Sequence, residues 1–207
     1  MQLCSKGFVV IALVLVMISV GHADTIYSET VNGELSNDGL FPTSVPVGAG
    51  SNIISGTTGS NTAPNVRDYF TISIPANLRL ISLIELAGTE AGNVGFLGLQ
   101  SGSQVTLPTN ASTAAGLLGW VHYGPAASDL DILPTMAIPA NGSSGFTPPL
   151  DPGNYAFWLQ DSSQGTFQYR FNVVLAPVPE ISTAALTIVG VLALVLLRRS
   201  RREFLKN

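Results

Sequence analysis

The chain has 207 residues, 46% of them hydrophobic and 11% charged, with a net charge of −4 and one cysteine. So apolar a composition excludes an intrinsically disordered chain, and one cysteine excludes a disulfide framework. The basic residues gather at the two ends, and the acidic stretch between them argues against nucleic-acid binding.

Residues 1–23 are expected to be a secretory signal peptide. Lys6 supplies the positive n-region, and Phe8–Val20 is an apolar run of thirteen residues, too short to span a bilayer. Gly21-His22-Ala23 offers the small residues that signal peptidase reads, so cleavage is expected between Ala23 and Asp24. Cys4 precedes the apolar run, whereas a lipidated cysteine would follow it. An uncleaved N-terminal anchor is the lesser alternative.

Residues 24–177 are expected to form one all-β domain. Through Val178 the exported part holds no cysteine and no lysine, and its three arginines against eleven acids leave a net charge of −8. Short apolar runs are broken by Gly, Ser, Thr, Asn and Pro, with no sustained helical period. Thr25–Val31 and Ser51–Gly56 are the first expected strands. In Asp68–Pro75, Phe70, Ile72 and Ile74 alternate with Thr71 and Ser73, the pattern of a strand with one buried face. Leu78–Leu86 is more apolar and is expected to be buried on both faces. Asn93–Leu99 carries Gly95 and Gly98, signs of a bulge or of close backbone approach. Gly116–Tyr123 and Ile132–Ile138 are further strand candidates. Tyr155–Gln160 and Phe167–Val173 alternate again, and Ser162–Gly165 between them reads as a hairpin loop. Eight or nine such strands predict a single β-sandwich of Greek-key or jelly-roll-like type.

Leu150-Asp151-Pro152-Gly153-Asn154-Tyr155 resembles the Leu-x-Pro-Gly-x-Tyr turn of Greek-key sandwiches. The Tyr155 hydroxyl is then expected to bond back to the loop backbone, as in a tyrosine corner. Taken with Asp68–Ala76, it also resembles the bacterial pre-peptidase C-terminal (PPC-like) β-sandwich. That small secreted module has an Asp-x-Phe strand ending at a proline and, later, a Pro-Gly-x-Tyr strand. The resemblance covers most of Gly33–Leu175 and implies a non-catalytic accessory module.

The last thirty residues have three parts in fixed order. Val178-Pro179-Glu180-Ile181-Ser182 is a short polar-proline signature. Ile181–Leu197 follows, seventeen residues without a charge. As a helix it is roughly 25 Å long, near the thickness of a bilayer core, and it has no polar face. Arg198, Arg199, Arg201 and Arg202 form a basic stop, which places residues 203–207 in the cytoplasm and the preceding chain outside. A plain single-span anchor accounts for this physics. The order and spacing resemble the PEP-CTERM sorting signal of bacterial exported proteins, matched here by Val178, Pro179, Glu180 and Ser182, with Ile181 where the family usually has a second proline. Membership would place the signal at 178–202. It implies recognition by an exosortase-type membrane enzyme, removal of the tail, and export linked to extracellular polysaccharide.

No catalytic set is present, and no enzyme activity is expected. A triad needs a base oriented by an acid, and His122, the one histidine of the exported part, lies in an expected strand. No cofactor is expected. Calcium is the one metal for which the loops offer hard oxygens, in Asn37-Asp38-Gly39 and Asp129-Leu130-Asp131. Neither completes a calcium loop, and turn chemistry is the expected role of these residues. Trp120, Tyr123 and Trp158 are candidate glycan contacts, because Trp158 is out of phase with Tyr155, Phe157 and Leu159. The reading is an exported, non-catalytic envelope or matrix protein. It is held first by one inner-membrane helix with its N-terminus outside, then lies at the cell surface or beyond. Signal peptidase, the exosortase-type enzyme and polysaccharide are its expected partners. The alternative is a carbohydrate-binding module using surface aromatics.

Overall fold

The computed structural model describes residues 24–59 and 67–178, with 188 and 190–192 of the tail. Over these residues the chain is all-β, and two sheets share one core. The four-stranded sheet has the order β1 (Asp24–Ser28), β3 (Gly50–Thr58), β9 (Phe167–Pro177), β5 (Leu78–Glu85). The five-stranded sheet has the order β2 (Thr43–Ser44), β4 (Arg67–Ile74), β8 (Gly153–Gln160), β6 (Gly95–Ser101), β7 (Gly119–Tyr123). The edge strands β1 and β2 join in parallel, and the other pairings are antiparallel.

The alternating segments form strands because each buries one face of its pleat. In β4, Phe70, Ile72 and Ile74 enter the core, and in β8 Tyr155, Phe157 and Leu159 do so. Phe70 and Phe157 oppose one another in register, with ring centroids 4.7 Å apart and planes 7° from parallel. Ile54, Leu80, Leu83, Tyr169, Phe171, Val173 and Leu175 close the core from the four-stranded sheet. The outer face of the five-stranded sheet is covered as well. Tyr69, Ala156 and Trp158 are buried there with Val105, which lies on the connection from β6 to β7.

Several expectations change. Tyr155–Gln160 and Phe167–Val173 do not form a hairpin: β8 pairs with β4 and β6, β9 pairs with β3 and β5, and residues 161–166 carry the chain from one sheet to the other. Alternation identifies a strand but carries no information on its partner. Ile132–Ile138 holds a short helix, α2 (Leu133–Met136), with Pro134 in its first turn and Leu133 and Met136 buried. A short apolar run looks alike in either conformation. Thr25–Val31 splits into β1 and a single helical turn, α1 (Glu29–Asn32). The strand β5 buries Leu80 and Leu83, but Ile81 is exposed, so it is not covered on both faces; its register shifts between Leu80 and Ser82. Gly95 in β6 serves close approach, since a Cβ there would collide with the Tyr123 ring.

No helix among the described residues is long and apolar enough to cross a membrane. The expected span 181–197 lies outside the described residues, apart from Ile188 and residues 190–192, which are helical and exposed. The expected signal peptide 1–23, and Pro179, Glu180, Ser182 and the arginines 198–202, also lie outside them.

Candidate functional site

The outer face of the five-stranded sheet is organised by register. One rung across β4, β8, β6 and β7 reads Tyr69, Trp158, Gly98, Trp120. The next reads Arg67, Gln160, Phe96, His122. Gly98 therefore leaves a gap between the two tryptophans. The Phe96 ring leans into it: a Cβ at Gly98 would come 3.0 Å from that ring. Phe96 stacks on Trp120 with centroids 5.9 Å apart and meets Trp158 edge-on at 5.0 Å. Trp158 in turn stacks on Tyr69 at 5.8 Å. The result is a continuous aromatic run across four strands.

Above it lies a groove of about 330 Å³, floored by Phe96, Trp120 and Trp158. Its polar rim includes His122, Gln160, Asn141, Thr109 and Thr113. Trp120 is half-buried, and its indole N–H donates to the Ala140 carbonyl at 3.0 Å, which fixes the ring plane. Trp158 is 6% exposed, and its buried indole N–H has no acceptor among the described residues. The His122 ring lies edge-on to Trp120 at 5.2 Å, with Nδ1 3.2 Å from the Gly95 carbonyl. Gln160 Oε1 accepts a hydrogen bond from Arg67 Nε at 3.0 Å.

Trp120 and Trp158 are thus brought together, and Tyr123 is not. Tyr123 has the opposite phase on β7 and faces the core, 2% exposed, with its hydroxyl 3.1 Å from Thr58 Oγ1. Burial pushes its phenol well above the usual range. Phe96, the ring that joins the two tryptophans, is absent from the sequence-based candidates. Its signal was available: Phe96 and Gly98 share one face of β6, and the glycine marks the close approach.

The Tyr155 hydroxyl donates to the Asp151 carbonyl at 3.0 Å, four residues back across Pro152-Gly153. The carboxylates of Asp38, Asp129 and Asp131 each accept backbone N–H bonds. Asp38 Oδ1 accepts from the Leu40 N–H at 2.9 Å, and Asp129 Oδ1 from the Ala87 N–H at 3.1 Å. Asp131 Oδ1 accepts from the N–H groups of both Leu83 and Leu133 at 3.0 Å, tying α2 to β5.

A second group of acids was not foreseen. Carboxylate oxygens of Glu29, Glu34 and Asp68 lie within 4.8 Å of one another. Asp68 is fully buried; desolvation, with the Glu29 charge adding, pushes its carboxyl up to about 8. Desolvation likewise raises Glu29, against the hydrogen bonds that its carboxylate accepts from Leu35 and Thr57. Glu85 stands alone elsewhere, buried, pushed up to about 7 by desolvation, with Oε1 accepting from the Gly124 N–H at 3.0 Å. The chain matches no family model, no curated protein and no solved structure.

Proposed function

We propose that this is an exported, non-catalytic protein of the cell envelope or extracellular matrix that associates with exopolysaccharide through the aromatic groove. The groove is the observation that carries the reading. Phe96, Trp120 and Trp158 form an apolar floor of fixed ring planes, and Asn141, Gln160, His122 and two threonines rim it with donors and acceptors. A pyranose has the complementary chemistry, with C–H groups on its faces and hydroxyls around its edge. The rest of the surface suits an uncharged polymer, because a domain at −8 repels anionic lipid and nucleic acid. His122, bonded to a backbone carbonyl, has no acid orienting it among the described residues.

The location rests on the two ends of the sequence. The signal peptide directs export through signal peptidase. The tail signature Val178-Pro179-Glu180, its helix and Arg198–Arg202 retain the chain in the membrane until an exosortase-type enzyme processes it. The domain itself is read as a Greek-key β-sandwich resembling the PPC-like module.

The binding test uses tryptophan fluorescence of the full-length chain in mild detergent, titrated with the host's matrix polysaccharide and a panel of neutral oligosaccharides. Binding should shift the emission, and Trp120→Ala should remove the response. No response across the panel, from wild-type protein that melts cooperatively, overturns the groove as a glycan site. The processing test is intact mass in the native host. Replacing Pro179-Glu180 by Ala-Ala should leave insertion intact and block release, whereas a species ending at Asn207 in the wild type, with no shorter form, reduces the tail to an anchor.

A further inference from the structure

We propose that Glu29, Glu34 and Asp68 form a binding site for one calcium ion, with Asp68 on the inner face of the sheet whose outer face carries the aromatic groove. The three come from three places, α1, the loop after it and β4, and their carboxylate oxygens converge within 4.8 Å. Two oxygens bound to one calcium at 2.3–2.6 Å lie up to about 5 Å apart, so the span suits that ion with little movement. The donor set is all oxygen, with no histidine or cysteine, which selects a hard cation over zinc or copper. Magnesium, at about 2.0–2.1 Å and strictly octahedral, wants a tighter cluster.

Proximity of acids alone would not carry this. Asp68 supplies the second observation: it has no exposed surface, and among the described residues neither carboxylate oxygen holds a hydrogen bond. The Tyr169 hydroxyl favours the charged form of Asp68, but the hydrogen bond it makes is a long one, 3.4 Å to Glu29 Oε1. None of the three acids has an ion pair among the described residues. The nearest arginines are engaged elsewhere, Arg67 with Gln160 on the other face of the sheet and Arg170 with the Ala87 carbonyl. A buried, unpartnered carboxylate aimed at two others is an arrangement that a divalent cation completes.

The surroundings keep the place open. A Cβ at Gly56 would collide with the Glu29 carboxylate and the Tyr169 hydroxyl, so only glycine leaves room there. Beside it a cavity of about 350 Å³, lined by Glu29, Glu34, Gly56 and Tyr169, has space for the waters that complete a coordination of six to eight. Glu29 is itself held by the N–H groups of Leu35 and Thr57 at 3.2 and 2.7 Å, so one ligand is already positioned.

The experiment uses the full-length chain in mild detergent, stripped with a chelator and titrated with calcium chloride at pH 8.5. Thermal unfolding should shift upward, and terbium should replace calcium and luminesce on excitation of the adjacent Tyr169. Asp68→Asn should abolish both responses. Glu34→Gln, an exposed change that leaves the core intact, should weaken calcium at least tenfold while the melt without metal stays cooperative. No shift at ten millimolar calcium overturns the site. So does a shift that survives both substitutions within twofold, which places the ion elsewhere. An equal response to magnesium overturns the assignment to calcium. The groove is untouched by these variants, so sugar binding and metal binding succeed or fail separately.

Discussion

Neighbouring residues of β4 face opposite ways. Asp68 takes the core phase of Phe70, Ile72 and Ile74 and meets Glu29 and Tyr169; Tyr69 takes the outer phase and stacks on Trp158. The acid group and the aromatic run that floors the groove thus meet β4 from its two faces, and they differ in what they need. The aromatic face is stable by itself, since its rings bury apolar area and gain from stacking. The acid face costs stability until its charge is neutralised, by protons or by a cation. Ligands should therefore show at the groove as affinity and at the acids as stability.

The largest break in this contrast is Trp158→Ala. Trp158 is buried against Tyr69, Val105 and Phe96, so truncation should cost about 3–4 kcal/mol in urea unfolding of the full chain. Sugar binding should vanish with it. A cost under about 1 kcal/mol would mean the outer cluster adds little to the fold.

Glu85→Gln is the next test and a control for the acid group, because Glu85 is a lone buried acid. Desolvation pushes its carboxyl up to about 7 in the folded chain, from an ordinary value of 4.5. Between these values the native state holds the extra proton, so stability falls as pH rises from about 4.5 to 7 and stays low above that. Glutamine removes this loss. The variant should gain on the order of 1–2 kcal/mol at pH 8 and nothing at pH 4, less than the full shift because solvent screens part of it. Urea midpoints across that range check it, and calcium should not change the difference. A gain that is the same at both pH values would contradict the titration.

Tyr155→Phe should cost about 1 kcal/mol, the value of one hydroxyl bond to the Asp151 carbonyl. An unchanged midpoint would make Tyr155 only a packed ring. His122→Ala is the smallest change. The side chain is exposed, so stability should move by less than about 0.5 kcal/mol, while sugar affinity falls a few-fold if the rim contacts hydroxyls. Isothermal titration separates the two.

Strands were legible where alternation was strict, as in β4, β8 and β9, and so was the outward phase of Trp158. Pairing was not legible. The link 161–166 has turn residues that serve a hairpin and a crossing between sheets equally, and the choice depends on what β3 and β5 leave open. Tyr123 stands among the candidate glycan contacts as an aromatic ring, yet three residues along a strand from Trp120 reverse the face. The acid group spans residues 29 to 68, so no local motif marks it. One sign was present: Asp68 sits in the apolar phase of its strand, a charged residue where the pattern asks for an aliphatic one.

The place of β9 has a consequence for how the molecule comes into being. Among the described residues it is the last strand, yet it lies between β3 and β5 and is the only strand that joins them. Until Phe167–Pro177 has been synthesised, β5 has no neighbour in its sheet. The domain must therefore wait, unclosed, for its final eleven residues, and Val178, bonded to the Asn77 carbonyl at 2.9 Å, follows at once. A chain cut short within Phe167–Pro177 would leave β3 and β5 unjoined, so the residues next to the tail are also those that close the four-stranded sheet.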